Sequence, residues 1–329
     1  MKIPPKYELT SKSVYLLTQI EANKAIFENT KIPEKVIENL TRQSLLKSSL
    51  YSAKIEGNSL VLEEAQNLQK FDSRLQERIE IENILSAFSY MKARGSKMSI
   101  DLALILKLHS LVMKGLGPND KIGRIRTVPT AIFNQAGIAI YVAPPPSELT
   151  NLLKNLLAFI NQESDVLTLV KATLSHFMFE KIHPFEDGNG RVGRLLLQII
   201  LAKGNYHFDY LLSFEEILNK KKSEYYDLLD RNQVSLFIEF MLEIIFEKLE
   251  ELKKDILSKS NFTQEDALLP RRREILEIVR DHAEISLDSI QRRFLKVPGR
   301  SLRYDLQYLE KNGYVLKIGA TRGALYRAK

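Results

Sequence analysis

The chain of 329 residues contains no cysteine, which excludes disulfide bonds and metal sites built from thiolates. Its longest apolar candidate for a membrane span, Leu195 to Ala202, is too short to cross a bilayer and contains Gln198. The N-terminal residues Met1 to Lys6 lack the apolar run of a signal peptide. Together these absences predict a cytoplasmic protein that does not associate with membranes.

The positive charge of the chain is concentrated at one end. The sequence has 48 Lys and Arg against 41 Asp and Glu, a net charge of +7. Residues 270–329 contain 14 basic and seven acidic residues, so this segment carries the whole excess and the remainder is neutral. The chain is long enough for two domains, each with its own core. We therefore expect a separate basic domain at the C-terminal end.

The stretch from His183 to Arg194, with the sequence HPFEDGNGRVGR, lies between two predicted helices. Residues 166–182 have apolar side chains at helical spacing, and Pro184 prevents this helix from continuing. Residues 191–201 have the pattern of a second helix. The stretch is therefore predicted to be a loop that joins two helices.

This loop has the residues of an anion site. Gly188 and Gly190 relax the limits on backbone angles, so that N–H groups can turn inward at the start of the second helix. The dipole and the unpaired N–H donors of that helix start favour an anion. Arg191 and Arg194 are three residues apart and can bring two guanidinium groups to the same end. The pattern predicts a phosphate site.

Two further side chains complete the predicted chemistry. Asp187 offers a hard oxygen ligand for a magnesium ion that bridges phosphates. His183 can accept a proton from a hydroxyl group near neutral pH. These groups together predict phosphoryl or nucleotidyl transfer. The alternative is a structural turn in which the arginines pair with glutamates and His183 only caps a helix.

The stretch resembles the signature of the Fic domain family, HPFx(D/E)GNGRxxR, and has the expected residue at every fixed position. The resemblance implies transfer of AMP from ATP to a Ser, Thr or Tyr hydroxyl of a target protein, with Mg²⁺ or Mn²⁺. It implies a role for each matching position: His183 as general base, Asp187 as metal ligand, Gly188 to Gly190 as anion-binding loop, Asn189 on the α-phosphate, and Arg191 and Arg194 on the outer phosphates.

The N-terminal segment contains a second motif. We predict helices at residues 13–28, 33–57, 62–70 and 75–94, the second of which ends at Gly57. Glu56 then lies where the helix dipole opposes a negative charge by ~0.3–1 kcal/mol. The sequence SAKIEGN, from Ser52 to Asn58, resembles the inhibitory helix of many Fic proteins. The resemblance implies that Glu56 pairs with Arg194 in the active site; the alternative is a solvated glutamate.

Residues 123–128 and 138–142 are β-prone runs separated by the turn residues 134–137, which predicts a hairpin. The hairpin resembles the Fic flap, a Gly-x-x-Arg motif and a strand followed by a proline-rich exit, here residues 144–146. The resemblance implies that it holds a target segment in extended form. A purely structural hairpin is the alternative. The residues of the predicted target-binding flap are Gly123, Arg126, Thr127 and Val128.

Helices are also predicted at residues 99–114, with Ser99 as N-cap, at 213–230 and at 234–258. His109 in the first of these is expected to be a core histidine or one that supports the site. Tyr225 and Tyr226 match a tyrosine pair that is common in Fic proteins and is expected at the adenine pocket, although core packing would explain them equally well.

The C-terminal residues 270–329 have the pattern of three helices followed by a strand, a turn and a strand. With its basic charge, this order resembles a winged helix domain. The resemblance implies binding of double-stranded DNA, and the alternative is a winged helix used for protein contacts or dimerisation. The predicted DNA contacts are Arg300, Ser301, Arg303 and Tyr304 on the recognition helix and Arg322 at the tip of the wing.

We therefore predict a mainly α protein, with a Fic helical core, a β-hairpin flap and a small C-terminal winged helix-turn-helix domain. The predicted boundaries are an N-terminal helical segment at 1–98 with the inhibitory helix at about 41–57, the catalytic core at 99–257, a linker at 258–269 and the C-terminal domain at 270–329. The predicted function is AMP transfer to a target protein, restrained by Glu56. Removal of AMP at the same site and a DNA-binding regulator that senses nucleotide are the alternatives. The target, the donor and the oligomeric state, including a homodimer, stay open.

Overall fold

The computed structural model describes residues 2–30, 32–66, 75–95, 98–133, 139–206, 208–258, 265, 268–295, 297–319 and 323–329. The described residues belong to two compact units, Met1–Thr30 with Leu40–Ser258, and Lys31–Asn39 with Lys259–Lys329. The second unit thus takes in nine residues from the N-terminal part of the chain as well as its C-terminal end. Within the described ranges, no helix is both long enough and apolar enough to span a bilayer.

The prediction of a mainly α protein is confirmed. The helices are α1 (Ser11–Asn29), α2 (Glu34–Ile55), α3 (Leu62–Ala65), α4 (Leu75–Arg94), α5 (Leu102–Val112), α6 (Pro146–Asn161), α7 (Thr168–Ile182), α8 (Asn189–Lys203), α9 (Glu215–Lys220), α10 (Lys222–Asp230), α11 (Val234–Ser258), α12 (Pro270–Arg280), α13 (Leu287–Arg293) and α14 (Gly299–Lys311). The strands are β1 (Ala131–Phe133), β2 (Ala139–Val142), β3 (Ile285–Ser286), β4 (Val315–Ile318) and β5 (Leu325–Ala328).

The first unit is built around α7. Almost every residue of α7 is buried, including the polar residues Thr173, Ser175 and His176. Such a helix, apolar on all sides, belongs in the centre of a large core. It packs against α6, α8, α10 and α11, while α8 also contacts α4 and α5, and α1 lies along α11. The loop between α7 and α8 is therefore held at both ends by the most buried helices of the unit.

Two helix predictions need correction. The helix predicted from Ser99 begins at Leu102, and its N-cap is Asp101, whose carboxylate accepts a hydrogen bond of 2.8 Å from the N–H of Leu104. The helix predicted over 213–230 is two helices, α9 and α10, that meet at Lys221. The Lys221 ammonium donates a hydrogen bond of 2.9 Å to Glu247 on α11. Of the helix predicted over 62–70, residues 67–70 lie outside the described ranges.

The hairpin is present, but its first strand was placed too early in the sequence. Residues 123–128 form no strand, and the antiparallel pair is β1 with β2, where Ala131 is opposite Val142. The β-prone run fails to form a strand because its groups bond to the loop between α7 and α8 instead. The N–H of Arg126 donates to the carbonyl of Pro184 at 2.9 Å. The predicted turn, residues 134–137, lies outside the described ranges.

The second helix of the central motif also starts earlier than predicted. It begins at Asn189 rather than Arg191, with Gly188 as N-cap in the left-handed conformation at φ 81°. Gly188 thus uses the conformational freedom expected of it. Gly190 is instead a helical residue, and its importance is spatial. A Cβ atom there would lie 2.2 Å from Oε1 of Glu56 and 2.9 Å from Nη1 of Arg194.

In the second unit, α12, β3, α13, α14, β4 and β5 follow one another, and the strands form an antiparallel sheet in the order β3–β5–β4. The core includes Leu276, Ile290, Leu302, Leu306 and Tyr326. Three helices and a terminal hairpin were predicted here and are present, whereas the short strand β3 was not predicted. The winged helix assignment and its DNA contacts remain predictions.

Candidate active site

His183 terminates α7 in a strained backbone conformation. Its φ is 48°, in the left-handed region that side chains with a Cβ rarely adopt, and its N–H still donates to the carbonyl of Phe179. Pro184 follows and cannot continue the helix. The chain therefore turns sharply at His183, which aims the imidazole out of the helix end into a cavity.

The protonation of His183 follows from its contacts. Nδ1 lies 3.3 Å from the carbonyl oxygen of Glu180, and because a carbonyl can only accept, Nδ1 carries the hydrogen. Nε2 is then the unprotonated nitrogen of the neutral ring. Burial lowers the pKa of His183, and the positive charge of Arg126 lowers it further. The imidazole is consequently neutral at pH 7, with a lone pair available to accept a proton.

The loop between α7 and α8 is held in shape by Asn189 and His109. The side-chain amide of Asn189 bonds both to the N–H and to the carbonyl of Phe185, each at 2.9 Å. His109 stacks on the Phe185 ring with centroids 3.8 Å apart. Its Nδ1 accepts from the Gly123 N–H at 2.8 Å, which leaves Nε2–H to donate to the carbonyl of Asp187. Burial lowers the pKa of His109 to about 4, which keeps it neutral.

These contacts define what Asn189 can offer to a phosphate. Its side-chain amide is engaged by Phe185, so the group left for an anion is the backbone N–H. The first N–H groups of a helix, here Asn189, Gly190 and Arg191, have no partner within the helix. They point in one direction together with the positive end of the helix dipole. The start of α8 therefore offers backbone donors that could bind an anion.

Asp187 and Arg191 form an ion pair beside this anion site. Nη2 of Arg191 donates to Oδ1 of Asp187 at 2.9 Å, and the N–H of Gly188 donates to the same oxygen at 2.5 Å. The Arg191 side chain is 4% exposed, whereas that of Asp187 is 68% exposed. The carboxylate is thus fixed through one oxygen and open to solvent.

Arg194 is held by the C-terminal end of α2. Its Nε donates to Oγ of Ser52, and its Nη2 donates to the Ser52 carbonyl, both at 2.9 Å. The same Nη2 donates to Oε1 of Glu56 at 2.8 Å. The last carbonyls of a helix lack partners within it and favour a cation. Arg194 therefore caps α2, and this explains how a carboxylate is tolerated at that helix end.

The Arg194–Glu56 pair lies at the wall of a large cavity. The Arg194 side chain is 1% exposed and that of Glu56 is 31% exposed. Burial lowers the pKa of Arg194, but the Glu56 carboxylate, helped by the tyrosines and by Glu180, raises it above its ordinary value. The cavity of about 880 Å³ is lined by Glu56, Glu180, His183, Arg194, Tyr225 and Tyr226, among others. It is large enough for a nucleotide.

The two tyrosines have different surroundings. Tyr225 is fully buried, and its hydroxyl lies 2.9 Å from Nε2 of His176. Tyr226 packs edge-on against it, with ring centroids 5.0 Å apart, and is only partly buried. Tyr225 therefore serves both expectations, since it is a core residue and also lines the cavity. Tyr226 presents more of its ring to that cavity.

Arg126 fixes the segment before the hairpin to the loop between α7 and α8. The side chain is 3% exposed and donates three hydrogen bonds, to the carbonyls of His183 (2.8 Å), Val128 (2.9 Å) and Pro144 (2.6 Å). Gly123 has a φ of 73°, while Thr127 and Val128 are exposed. A second cavity of about 420 Å³ lies beside Arg126, Thr127 and Asp187. Asp187 thus borders both cavities, one on the flap side and one on the side of Arg194.

Sequence reasoning missed several residues of this site. Glu180 and His176 lie one and two turns before His183 on α7, and Tyr141 on β2 donates to the carbonyl of Lys181 at 2.6 Å. Glu180 is an acidic residue directly after the apolar run Phe177 to Phe179 of α7, and this was the available signal for it. Ser52 begins the SAKIEGN motif, but no role was predicted for it, and its two hydrogen bonds with Arg194 appear only in the folded structure.

The residues predicted to contact DNA lie in the second unit. Arg300, Arg303 and Tyr304 are exposed on α14, and Ser301 is half-buried. Arg322 lies outside the described residues.

The model of the Fic/DOC family matches residues 99–201, which include α5, the hairpin, α7 and most of α8. Proteins named protein adenylyltransferase Fic are similar: that of Drosophila willistoni is 27% identical over 198 residues (58% of this chain, 38% of that protein). That of Drosophila virilis is 32% identical over 166 residues (47% of this chain, 32% of that protein). The chain thus matches about a third of the length of these curated relatives.

Solved structures show the same fold. A Fic family protein from Desulfovibrio desulfuricans G20 superposes with a TM-score of 0.69 at 23% identity, over 99% of this chain and 98% of that chain. A Fic domain containing signaling protein from Bacteroides thetaiotaomicron superposes with a TM-score of 0.60 at 19% identity, over 74% of this chain and 96% of that chain. The sequence match and the fold agree, and residues 99–201 of this protein form a Fic domain of the Fic/DOC family.

Proposed function

We propose that this protein transfers AMP from ATP to a hydroxyl group of a target protein. The proposal is supported by the convergence of a neutral histidine, a helix start that binds anions and a buried arginine on one cavity of about 880 Å³. It is also supported by the relatives that are named protein adenylyltransferase. The donor is ATP, and the acceptor is a Ser, Thr or Tyr side chain.

In the proposed reaction His183 is the general base. Its Nε2 accepts the proton of the target hydroxyl while the hydroxyl oxygen attacks the α-phosphorus of ATP. A new oxygen–phosphorus bond forms, the bond between the α-phosphorus and the bridging oxygen breaks, and pyrophosphate leaves. The Nδ1–H bond to the Glu180 carbonyl keeps the ring in the tautomer that this step requires. The lowered pKa of His183 ensures that the base is unprotonated at pH 7.

The start of α8 and two arginines would hold the phosphates. Backbone N–H groups of residues 189–191 face the α-phosphate, where negative charge grows during attack. Arg194 binds the outer phosphates once Glu56 has left it. Arg191 stays paired with Asp187 and adds a positive charge beside the leaving group.

Asp187 is the residue that would hold Mg²⁺ or Mn²⁺. Within the described part of the chain, no group of three acidic or histidine side chains could form a metal cage. Magnesium usually binds one or two carboxylates together with substrate phosphates, so a single exposed carboxylate beside the phosphate site fits. When bound, the ion neutralises phosphate charge. The chain's own part is to present one fixed carboxylate at that place.

We further propose that Glu56 inhibits the enzyme. Its carboxylate takes the hydrogen bond from Nη2 of Arg194 that an outer phosphate needs. It also fills space at the start of α8, where a Cβ on Gly190 would lie only 2.2 Å from Oε1. ATP can then bind only in a pose that leaves its outer phosphates away from Arg194.

The flap would present the target. Arg126 anchors the segment to the His183 carbonyl, and the exposed residues Thr127 and Val128 follow directly. An extended target segment can bond to backbone groups beside them and bring its hydroxyl toward His183. Gly123, whose N–H is held by His109, fixes where this segment begins.

The test is incubation of the purified chain with ATP and magnesium, followed by intact-mass and peptide mass spectrometry. Because self-modification is an expected side reaction, the protein itself serves as the first substrate. We expect one or more added AMP groups in the Glu56→Gly variant and none after the additional change His183→Ala. ATP binding without turnover in both the wild type and Glu56→Gly would instead support a nucleotide sensor, and release of AMP from a modified target would support the hydrolytic direction. Parallel reactions with GTP and a phosphocholine donor test the choice of donor.

A second proposed function, DNA binding, concerns the C-terminal unit. Asp305 on α14 is 2% exposed and is neutralised by Arg271 and Arg272, whose Nε atoms lie 2.6 and 3.0 Å from its oxygens. Arg300, Arg303 and Tyr304 are exposed near the start of α14, and the exposed acid of this helix, Glu310, lies near its end. A positively charged helix face of this kind suits duplex DNA.

The test uses the full chain and a duplex of mixed sequence. Binding should weaken steeply with salt, because phosphate contacts release counterions. The variant Arg303→Ala should weaken binding uniformly across sequences, while Lys311→Ala, a change of the same charge at the far end of α14, serves as the matched control. Failure to bind at low salt would leave this unit as a module for protein contacts.

A further inference from the structure

Several buried polar atoms of α7 and α8 have no hydrogen-bond partner. Among the described residues they include Nη1 of Arg194, Oε1 of Glu180 and Nδ1 of His176. Oε1 of Glu180 is 3.8 Å from Nδ1 of His176, which is too far for a hydrogen bond. Buried polar atoms are nearly always bonded, so this group requires an explanation.

The carboxyls of Glu180 and Glu56 both lie against α8. A Cβ atom on Gly193 would be 2.2 Å from Oε1 of Glu180, and one on Gly190 would be 2.2 Å from Oε1 of Glu56. Residues three apart share one face of a helix about one turn apart. Two carboxyls from different parts of the chain therefore contact successive turns of the helix that carries Arg194. Two carboxylates that share a site favour protonation of one of them.

The ionisable groups around Glu180 identify which of the two is protonated. They are His176 on its own helix, Arg194 on α8, Glu56 after α2, and Tyr225 and Tyr226 on α10. Burial and Arg194 lower the pKa of His176 to about 3, and burial raises the pKa of both tyrosines, so these three are neutral at pH 7. Burial raises the pKa of Glu180 to about 8, with Arg194 acting to lower it and Glu56 to raise it. At pH 7 the proton is on Glu180, and Glu56 is the carboxylate that bonds to Arg194.

We propose that Glu180 is a second counter-ion for Arg194, one that takes up a proton when another anion binds the guanidinium and releases it when that anion leaves. In this structure the other anion is Glu56. When Glu56 leaves, its repulsion of Glu180 ends and a buried guanidinium loses its carboxylate. Glu180 then ionises and gives its proton to solvent.

This inference rests on the proposed function, because it takes the outer phosphates of ATP as the next anion on Arg194. Their arrival restores the negative charge near Glu180, which takes a proton back from solvent. Glu180 is thus a positioning residue: it keeps Arg194 paired between the departure of Glu56 and the arrival of ATP. It also competes with ATP, since only its protonated form leaves Arg194 free.

The affinity for ATP should fall as the pH rises. In a variant without Glu56, the pKa of Glu180 falls below about 8 when no nucleotide is bound and rises again when phosphates bind. Between these two pKa values ATP binding takes up close to one proton. The dissociation constant should then increase by up to tenfold for each pH unit in this window. Below the window Glu180 is protonated throughout, and the affinity no longer changes with pH on its account.

Isothermal titration calorimetry of ATP and magnesium in two buffers that differ in ionisation enthalpy measures the proton number. The reference protein is Glu56→Gly/His183→Ala. It lacks the proposed base for AMP transfer, which is also the histidine that lines the cavity. We expect it to take up more protons per nucleotide than the same protein with Glu180→Gln. Protons taken up by the nucleotide itself are common to both and cancel. Adding Glu215→Gln to the reference is the matched control, since both oxygens of this buried acid already accept hydrogen bonds, from Ser48 and Gln198.

Equal proton numbers with and without Glu180 would overturn the inference. If Glu180→Gln fails to fold, as judged by circular dichroism, the reference protein alone decides: an affinity that is constant from pH 6.5 to 8.5 would overturn it. Absence of nucleotide binding in every variant would refute the proposed function instead. The two failures are therefore distinguishable.

Discussion

Replacing Glu56 by glycine should make the protein more active and less stable at the same time. The change removes the carboxylate that accepts a hydrogen bond from Nη2 of Arg194. Both hydrogen bonds that the same guanidinium donates to Ser52 remain. Loss of a catalytic residue would lower activity, and loss of a merely structural ion pair would lower stability alone. A gain of activity together with a loss of stability is therefore specific to an inhibitory residue.

The size of the activation can be worked from the ion pair. A hydrogen bond between charged groups contributes about 1.5–3 kcal/mol, and ~1.4 kcal/mol corresponds to a factor of ten. Because Glu56 is 31% exposed, water weakens its ion pair with Arg194. We therefore take the lower end of this energy range, which corresponds to an increase in transfer activity of about tenfold. Removing one partner of a fully buried pair costs ~3–5 kcal/mol. Since Ser52 still holds Arg194, we expect the free energy of unfolding to fall by about 1–2 kcal/mol in Glu56→Gly. This change lowers Tm by a few degrees.

The assay is the rate of AMP incorporation, measured by mass spectrometry on the protein itself or its target, together with calorimetric unfolding. The variant Glu56→Gln is the control, since it keeps the size of the side chain and removes the charge. It should be activated, but less than Glu56→Gly, because the amide still fills the phosphate position. ATP should raise the Tm of Glu56→Gly more than that of the wild type. A Glu56→Gly protein that is no more active than wild type would refute the inhibitory role, and one that loses an AMP-removing activity would assign Glu56 to hydrolysis.

His183, Arg194 and Arg126 can each be tested by substitution. His183→Ala in the Glu56→Gly background should lower transfer by about 10²–10⁴-fold while ATP still binds, as calorimetry can check; unchanged turnover would exclude the assigned base. Because burial lowers the pKa of His183, the acidic limb of the kcat/KM profile should lie below pH 6.5, and a limb above it would contradict the described surroundings. Arg194→Ala should abolish the gain of Glu56→Gly, since it removes the cation that holds the outer phosphates, and a variant as active as Glu56→Gly would disprove that role. Arg126→Ala removes three buried hydrogen bonds worth about 1 kcal/mol each and should lower stability by about 3 kcal/mol in urea unfolding, with a higher KM for the target. An unchanged KM for the target would contradict the proposed role of the flap in target binding.

The sequence by itself determined the helices and the catalytic loop. Their determinants are local: apolar spacing, Pro184 after the first helix, and Gly188 in a left-handed N-cap position. The sequence also placed the hairpin, although not its first strand. Local preference for β structure around Arg126 was overridden by bonds to Pro184 and His183, which are more than 50 residues away in the chain.

The tertiary structure decided which groups face one another. Glu56 and Arg194 are 138 residues apart, and a resemblance could suggest their pairing, but the capping of α2 by Arg194 through Ser52 appears only when the helices are packed. Gly190 is required for space rather than for its backbone angle, because two side chains lie against it. The protonation of Glu180 depends on burial and on Arg194 and Glu56 together. Charge and hydrogen bonding act over a few ångströms in space, whereas sequence patterns report neighbours along the chain, and this is why the folded structure alone revealed these roles.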